Sequence, residues 1–320
     1  MASSKHFSCR MSCSLFIPDF RRDFEAADRP RLPAVERMVA RGVSKHMSPA
    51  EFLAPRFGLE PDRLAPAPFM HLGDTGTKDG EYRLCADFVH LAPDRDQLVL
   101  LPAAMLDARR EELESLAAAF DALYAADGWN LEVTAGGRVY LRAPRPLDLA
   151  TWEPEAVAGR AVMDYMPTGD DAPLLRQLMN ESQMLFHTDP INQAREEAGR
   201  PLINSLWLWG GGVLPSGPAA KSPGKVSGES PLLRGLALWA GRKPETVSLQ
   251  AINDDTLRSL EAGDPVALER DWFAPLLRLL KSGKLKRLEL YLGGMGLYAV
   301  DRAAARRFWR RPLPLTGVSK

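Results

Sequence analysis

Histidine and cysteine are scarce in this chain, which has five of the first and three of the second among 320 residues. The cysteines are Cys9, Cys13 and Cys85, an odd and sparse set that argues against a disulfide framework and is typical of a reducing compartment. Cys9 and Cys13 are spaced as C-x3-C, but no second Cys or His pair stands near enough to complete an ordinary zinc site. The composition therefore predicts neither a disulfide-rich domain nor a zinc-binding module.

A net charge is also missing, because 41 Lys and Arg residues balance 41 Asp and Glu residues. A protein that binds nucleic acid through its phosphates is expected to carry a basic excess. A polybasic membrane anchor is equally unsupported, and no run approaches the roughly 18 apolar residues of a membrane helix. These absences predict a cytoplasmic protein that binds neither nucleic acid nor membranes.

What the chain does have is the composition of a globular protein, with 45% hydrophobic and 26% charged residues. Segments with strand-like and helix-like periodicity alternate, which predicts an α/β fold. We expect the N-terminal part of an α/β domain at 1–80, an α+β subdomain of strand, helix and hairpin at 81–150, and the C-terminal part of the α/β domain at 151–320. A stretch rich in Ser, Pro, Gly and Lys at 216–230 predicts a flexible loop within the last part.

The hydrophobic periodicity also places the individual elements. Strands are predicted at 12–17, 82–91, 97–101, 131–134, 138–141, 202–209, 285–292 and 297–300. Helices are predicted at 32–42, 102–126, 171–187, 191–198, 231–240 and 265–280, with residues 43–80 irregular. In the helix at 171–187 the residues expected to face inward are Leu174, Leu175, Leu178, Ser182 and Leu185.

The first candidate for a binding site is the apolar strand at 202–209 with the glycines that follow it. Trp207 and Trp209 are two residues apart and therefore share one face of a strand. The glycines are Gly210, Gly211 and Gly212. They would let backbone N–H groups approach an anion, and ligands of open α/β sheets bind beyond the carboxyl ends of the strands. The alternative is that both indoles are core side chains and the glycines only turn the chain.

A second candidate precedes this strand. Asn192 and Arg195 are three residues apart and point the same way on the predicted helix at 191–198. The guanidinium fork of Arg195 matches a phosphate or carboxylate, which Asn192 and Asn204 would orient. His187 ends the preceding helix, where it is either a titratable partner of a ligand or a cation that stabilises the helix terminus.

The residues available to bind a metal are few. Asp87 and His90 lie in one predicted strand, where their side chains point to opposite faces and cannot share a metal unless the strand bends. Polar surface and turn positions are the alternative for this pair. Asp19, which ends the first predicted strand, and Asp189 complete the candidates.

The residues around the tryptophans resemble a known signature. Asn192, Arg195, Gly199, Pro201, Asn204, the segment 207–212 and Pro215 resemble the N-x-x-R…G-x-P…N-x-x-W-L-W-G-x-G…P signature of archaeal-type, cofactor-independent phosphoglycerate mutases. The segments that resemble bacterial RpfE-type regulatory proteins are 32–37, 86–91, 180–185 and 207–212. The resemblance covers residues 12 to 310. It implies an alkaline-phosphatase/phosphoglycerate-mutase-like sheet with helices on both faces and a smaller α+β subdomain.

The resemblance also implies a chemistry. The mutases hold two metal ions with several Asp and His residues and transfer phosphate through a Ser nucleophile. Asp19 stands where the superfamily places its first metal Asp, but Pro18-Asp19-Phe20 replaces the usual Asp-Gly. The superfamily's Asp-His dipeptide is absent from the sequence. The chain therefore matches the scaffold of the family and not its metal ligands or nucleophile.

The leading hypothesis is a degenerate, phosphoglycerate-mutase-like regulatory protein without a cofactor. Its small phosphorylated or anionic metabolite would be bound by Asn192, Arg195, Asn204, Trp207, Trp209 and Gly210 to Gly212, with His187 at the edge. One alternative is an active phosphomutase or phosphohydrolase acting on phosphoglycerate-like substrates. It would use manganese or zinc bound by a set drawn from Asp19, Asp87, His90, His187 and Asp189. The other alternative is a protein-interaction module, which only the stretch at 216–230 favours.

Overall fold

The first predicted strand is confirmed, because Ser12–Ile17 is a β-strand inside a sheet. The computed structural model describes residues 12–18, 20, 30–95, 97–217, 219–246, 256–260, 264–312 and 314–315. The chain divides into two compact units, the first made of Met1–Leu64 with Pro218–Lys320 and the second of Ala65–Gly217. The second unit is therefore an insertion in the sequence of the first.

These units differ from the predicted domains. The predicted subdomain at 81–150 is too short, because the strand that carries the tryptophans folds with it in the second unit. The cause is an antiparallel pairing in which Asp87 stands opposite Trp207 and Val89 stands opposite Ser205. Pairing between strands so far apart in sequence leaves no local signal, so the boundary at 150 was wrong.

The elements are numbered along the whole chain. The strands are β1 (Ser12–Ile17), β2 (Val43–Lys45), β3 (Tyr82–Asp94), β4 (Gln97–Leu101), β5 (Asn130–Val133), β6 (Val139–Ala143), β7 (Ser205–Gly212), β8 (Lys225–Ser227), β9 (Thr256–Ser259), β10 (Arg287–Leu292) and β11 (Gly296–Asp301). The helices are α1 (Pro33–Arg41), α2 (Pro49–Leu53), α3 (Pro66–Thr75), α4 (Arg110–Tyr124), α5 (Pro154–Val157), α6 (Ala172–His187), α7 (Pro190–Glu197), α8 (Pro231–Trp239), α9 (Pro265–Leu268), α10 (Ala274–Ser282) and α11 (Arg302–Ala305). Among the described residues, no helix is long and apolar enough to cross a bilayer.

The first unit is built on a six-stranded sheet in the order β2–β11–β10–β1–β9–β8. Strands β10, β1, β9 and β8 run parallel, whereas β11 pairs antiparallel with both β10 and β2. Leu15 and Ile17 alternate along β1 and share a buried core with Val35 of α1 and Leu280 of α10. This unit is the predicted α/β part, in which helices cover a largely parallel sheet.

The second unit is an α+β structure around the long strand β3, which pairs antiparallel with β4, β6 and β7. The predicted hairpin is confirmed as β5 and β6. Phe120 of α4 and Leu175 of α6 are fully buried in the core of this unit. Strand β7 is therefore part of an antiparallel sheet, and the rule for ligand sites of open parallel sheets does not apply to it.

Two stretches expected to be irregular contain regular elements. Residues 43–80 include β2, α2 and α3, and the predicted loop at 216–230 includes β8. Ser48 and Glu51 form an S-x-x-E capping box at the start of α2, in which each side chain accepts a hydrogen bond from the other residue's backbone N–H. Pro66 occupies the first turn of α3, where no N–H donor is needed. The proline content of residues 43–80 therefore led to the wrong prediction of an irregular segment.

Two helices also differ from their predictions. In α6, Leu174 is exposed and Leu185 is half-buried, whereas Met179 and Phe186 are buried. The inward face is thus rotated from the predicted one. The helix predicted at 265–280 is divided into α9 and α10 by a π-helical turn.

Candidate functional site

Trp207 and Trp209 lie on one face of β7, as their spacing predicts, and both side chains are buried. Trp207 Nε1 donates a hydrogen bond to the Trp152 carbonyl oxygen at 2.7 Å, and Trp209 Nε1 donates to Asp87 Oδ2 at 2.6 Å. Each indole thus fills core volume and gives its single N–H to the protein itself. Both are members of the hydrophobic core of the second unit.

The three glycines after the tryptophans pack closely within the second unit. A Cβ atom on Gly211 would lie 2.5 Å from Tyr82 Oη, and one on Gly212 would lie 2.3 Å from an alanine Cβ. Gly210 has a φ of +66° beside a bulge in the pairing of β7 with β3, and its N–H donates to Thr151 Oγ1 at 3.0 Å. Packing and backbone conformation therefore both require glycine here.

Asn192 and Asn204 hold neighbouring backbone segments together. Asn192 Nδ2 donates to the carbonyl oxygens of Phe186 and Ile203, and its Oδ1 accepts the Ile203 N–H, all at 2.8 Å. Asn204 Oδ1 accepts the Leu91 N–H at 2.8 Å, and its Nδ2 donates to the Leu91 carbonyl oxygen at 3.0 Å. The side-chain amide of Asn204 thereby makes the pair of hydrogen bonds with β3 that one more residue of β7 would make. These amides join the ends of α6 and β3 to the chain that leads into β7.

Arg195 is almost completely buried, with 1% of its surface exposed. Its Nε donates to the Pro201 carbonyl oxygen at 2.8 Å, its Nη1 to Glu112 Oε2 at 3.0 Å and its Nη2 to the Leu106 carbonyl oxygen at 2.5 Å. Burial raises the pKa of Glu112, but hydrogen bonds from the Arg109 backbone N–H and from Arg195 outweigh it, so the net shift is downward. The guanidinium therefore faces an ionised protein carboxylate. Anion binding by Arg195 stays a prediction.

The metal candidates that the structure describes are not gathered at one place. Those that the structure describes are Asp87, His90, His187 and Asp189, and Asp19 lies outside the described residues. His90 Nδ1 lies 2.9 Å from the Leu202 carbonyl oxygen, Asp189 caps α7 by accepting the Ile191 N–H at 2.8 Å, and His187 is exposed at the end of α6. Within the described ranges, no three His, Cys, Asp or Glu side chains come together as metal ligands.

Asp87 should make the stability of the second unit depend on pH. Burial raises the pKa of its carboxyl to about 6, against the opposing effect of the Trp209 hydrogen bond. The folded state therefore holds this proton more tightly than the unfolded chain, and the resulting stabilisation is lost as the pH rises from about 4 to about 6. The Asp87→Asn variant should become more stable relative to the wild type by roughly 2–3 kcal/mol between pH 4 and pH 7.

Urea denaturation of both proteins at the two pH values, followed by tryptophan fluorescence, measures this difference. Asn keeps an oxygen that can accept the Trp209 N–H, so the packing of the indole is preserved. A stability difference between the two proteins that stays constant from pH 4 to pH 7 would contradict the role of Asp87.

The first unit contains a cavity of about 370 Å³ with a basic lining. The residues that give it its character are Arg56, Lys221, Arg287, Glu289, Ser12 and Ser14. Three basic side chains face one acidic side chain, and the volume is within the range of small-molecule sites. No sequence motif predicts this cavity, because its basic residues are far apart in the chain.

The guanidinium groups in this cavity are held in place by the protein. Glu289 forms ion pairs with both Arg56 and Arg287, the latter at 3.1 Å. The guanidinium of Arg56 also lies 3.7 Å from the centroid of the Phe52 ring, and Ser14 Oγ donates to Glu289 at 3.3 Å. One carboxylate thus orients two cations, and the described residues of the lining carry a net positive charge. Such preformed cationic groups match phosphate and carboxylate oxygens.

The chain is similar in sequence to phosphoglycerate mutases. It is 27% identical to a probable 2,3-bisphosphoglycerate-independent phosphoglycerate mutase of Geobacter sulfurreducens over 234 residues, which are 68% of this chain and 58% of that protein. It is 32% identical to such a mutase of Methanothrix thermoacetophila over 124 residues, which are 34% of this chain and 31% of that protein. The match thus spans less than two thirds of the length of either relative. No family model matches the chain.

Two solved structures also resemble it. One is a cofactor-independent phosphoglycerate mutase from Thermoplasma acidophilum, with a TM-score of 0.41, 18% identity and coverage of 93% of this chain and 95% of that one. The other is the PH0037 protein from Pyrococcus horikoshii, with a TM-score of 0.47, 13% identity and coverage of 92% and 86%. From the sequence similarity, the matched part of the chain is homologous to 2,3-bisphosphoglycerate-independent phosphoglycerate mutases.

Proposed function

We propose that this chain is a degenerate mutase homologue that binds a small phosphorylated metabolite and acts in regulation, as the resemblance to RpfE-type proteins suggests. The observation that carries the proposal is the basic cavity of the first unit. Arg56, Lys221 and Arg287 line it, and Glu289 is the one acidic residue among the described residues of the lining. An anion that enters between these cations gains charge-assisted hydrogen bonds from Arg56 and Arg287, which Glu289 already orients.

The position of the cavity also favours binding over phosphoryl transfer. Ser12, Thr256 and Arg287 all line it, and they are the first residues of β1, β9 and β10. The cavity therefore lies at the amino edge of the parallel strands. Open α/β sheets place their reacting groups at the opposite, carboxyl edge. A ligand at the amino edge suits control of the protein's state better than a reaction.

The relatives suggest the chemical class of the ligand. Their names describe mutases that are independent of 2,3-bisphosphoglycerate and act on phosphoglycerate. A phosphoglycerate carries both a phosphate and a carboxylate, and each matches a guanidinium or ammonium group. We therefore choose 3-phosphoglycerate as the probe for the cavity.

Calorimetric titration of the full chain with 3-phosphoglycerate tests the proposal. We expect saturable binding that Lys221→Ala weakens by at least about tenfold, since a hydrogen bond to a charged group contributes roughly 1.5–3 kcal/mol. Lys243→Ala, an exposed lysine of the same unit outside the cavity, is the matched control and should bind as the wild type does. Binding that is absent, or that Lys221→Ala leaves unchanged, would refute the assignment of the cavity.

The enzyme alternative needs a separate measurement. The purified chain is incubated with 3-phosphoglycerate and either manganese or zinc, and the formation of 2-phosphoglycerate is followed. We expect no isomerisation. Turnover together with a stoichiometric metal would show an active phosphomutase and would end the proposal of a degenerate protein, whatever the cavity binds.

A further inference from the structure

The C-terminal part of the first unit exposes two adjacent aromatic side chains. Phe308 is 82% exposed and Trp309 is 67% exposed, values unusual for residues of this size. Their ring centroids are 5.3 Å apart and their planes are inclined at 84°. Two neighbouring aromatic rings with so little cover form a protruding apolar point on the surface.

Cationic residues flank this point in the chain. The basic–aromatic patch consists of Phe308 and Trp309 with the exposed Arg302, Arg306, Arg310 and Arg311, the half-buried Arg37, Lys281 and Arg307, and the buried Arg41. Two hydrogen bonds to backbone carbonyl oxygens bring these residues close to one another. Arg306 Nη2 donates to the Lys281 carbonyl oxygen at 2.7 Å, and Arg307 Nη1 donates to the Arg41 carbonyl oxygen at 3.4 Å. Arg41 Nε in turn donates to the Arg310 carbonyl oxygen at 3.4 Å.

Like charges lie close to one another within the patch. Burial and the neighbouring Arg37 lower the pKa of Arg41, and burial with Arg37 and Arg41 lowers the pKa of Lys281. Asp301, the acidic residue next to Arg302 in the chain, caps α11 through its hydrogen bond with the Ala304 N–H. A chain with no net charge thus concentrates like charges on one surface, an arrangement that costs stability unless an anionic partner binds there.

We propose that the basic–aromatic patch docks on a membrane surface that contains anionic phospholipids. Arginines and lysines attract the acidic headgroups, and aromatic side chains prefer the boundary between headgroups and acyl chains. The patch combines both kinds of side chain, since Phe308 and Trp309 stand between Arg307 and Arg310 in the chain. The inference is independent of the metabolite cavity. It departs from the prediction of no membrane partner, because that prediction rested on the net charge of the whole chain and not on the charge of one surface.

Single-stranded nucleic acid is the other anionic partner to consider. Its successive bases stack parallel to one another on aromatic platforms. The planes of Phe308 and Trp309 are nearly perpendicular, so consecutive stacked bases cannot lie flat on both rings. The ring geometry therefore favours insertion into a lipid interface.

Sedimentation of the full chain with vesicles tests this proposal. We expect it to bind vesicles of phosphatidylcholine with phosphatidylglycerol and not vesicles of phosphatidylcholine alone. Arg310→Gln and Arg311→Gln should each weaken binding by about fivefold, and the double change Phe308→Ala with Trp309→Ala should weaken it by about tenfold. Because all four side chains are exposed, the variants should remain folded, which circular dichroism checks.

Matched controls come from the second unit. Met184→Ala removes a side chain that is 76% exposed, and Arg109→Gln removes an exposed cation, and both should bind the vesicles as the wild type does. Equal binding to neutral vesicles would overturn the proposal, as would equal weakening by the controls. Stoichiometric binding of a single-stranded oligonucleotide without vesicle binding would assign the patch to nucleic acid instead.

Discussion

Arg195→Ala is expected to lower the free energy of unfolding by about 3–5 kcal/mol, the range for removing one partner of a buried ion pair. The substitution leaves the Glu112 carboxylate without its buried partner and removes a donor from the carbonyl oxygens of Pro201 and Leu106. These acceptors lose their hydrogen bonds without gaining access to water. Urea denaturation followed by far-UV circular dichroism measures the change.

Arg200→Ala is the matched control for this prediction. Arg200 Nη1 donates to the same Glu112 carboxylate at 3.1 Å, but from a more exposed position. Its loss should cost no more than about 1 kcal/mol, as is usual for pairs near the surface. If Arg195→Ala unfolds at the same urea concentration as the wild type while losing an anionic ligand, the guanidinium serves binding rather than structure.

Gly293→Ala is the second change with a large expected effect. An alanine Cβ would lie 1.4 Å from the Pro18 carbonyl oxygen, a backbone atom that no side-chain rotation can move. The Gly293 N–H donates to the Ile17 carbonyl oxygen at 2.8 Å, so relief of the overlap also breaks this hydrogen bond at the end of the β1–β10 pair. We expect a loss of about 3 kcal/mol in the free energy of unfolding, at the upper end for overpacking.

The same substitution at Gly136 controls for the loss of glycine itself. A Cβ there meets no atom within 4 Å, and its backbone is outside the left-handed region. Gly136→Ala should therefore unfold within about 0.5 kcal/mol of the wild type. Equal stability of Gly293→Ala and the wild type would mean that the carboxyl edge of the sheet is looser than the structure describes.

Local patterns predicted individual strands. The short apolar runs in Ser12–Ile17 and in the hairpin at 131–141, each next to a Pro or Gly turn, were sufficient to predict them. Helix α3 was missed, because Pro66 and Pro68 suggested irregular chain, although a first-turn proline is compatible with a helix. The S-x-x-E capping box of Ser48 and Glu51 is a local signal from which α2 was predictable.

The candidate site was predictable only in part. The shared face of Trp207 and Trp209 follows from strand geometry, but the acceptor of the Trp209 N–H is Asp87, which no pattern could connect to it. The basic cavity is assembled from Arg56 and Arg287, which the fold brings to one carboxylate across most of the chain. Such arrangements depend on the order of the strands in the sheet, which cannot be predicted from the sequence of any one segment.

The insertion of the second unit sets the order in which the chain can assemble during synthesis. β1 pairs with β9 and β10, whose residues begin at Thr256 and Arg287, so it leaves the ribosome long before either neighbour exists. Every strand of the second unit is made in the meantime. The inserted unit can therefore fold first. Until β9 and β10 are synthesised, β1 has no pairing partner, and its apolar residues can misfold or be bound by chaperones. Nascent chains ending near residues 220 and 300 should separate these two folding events.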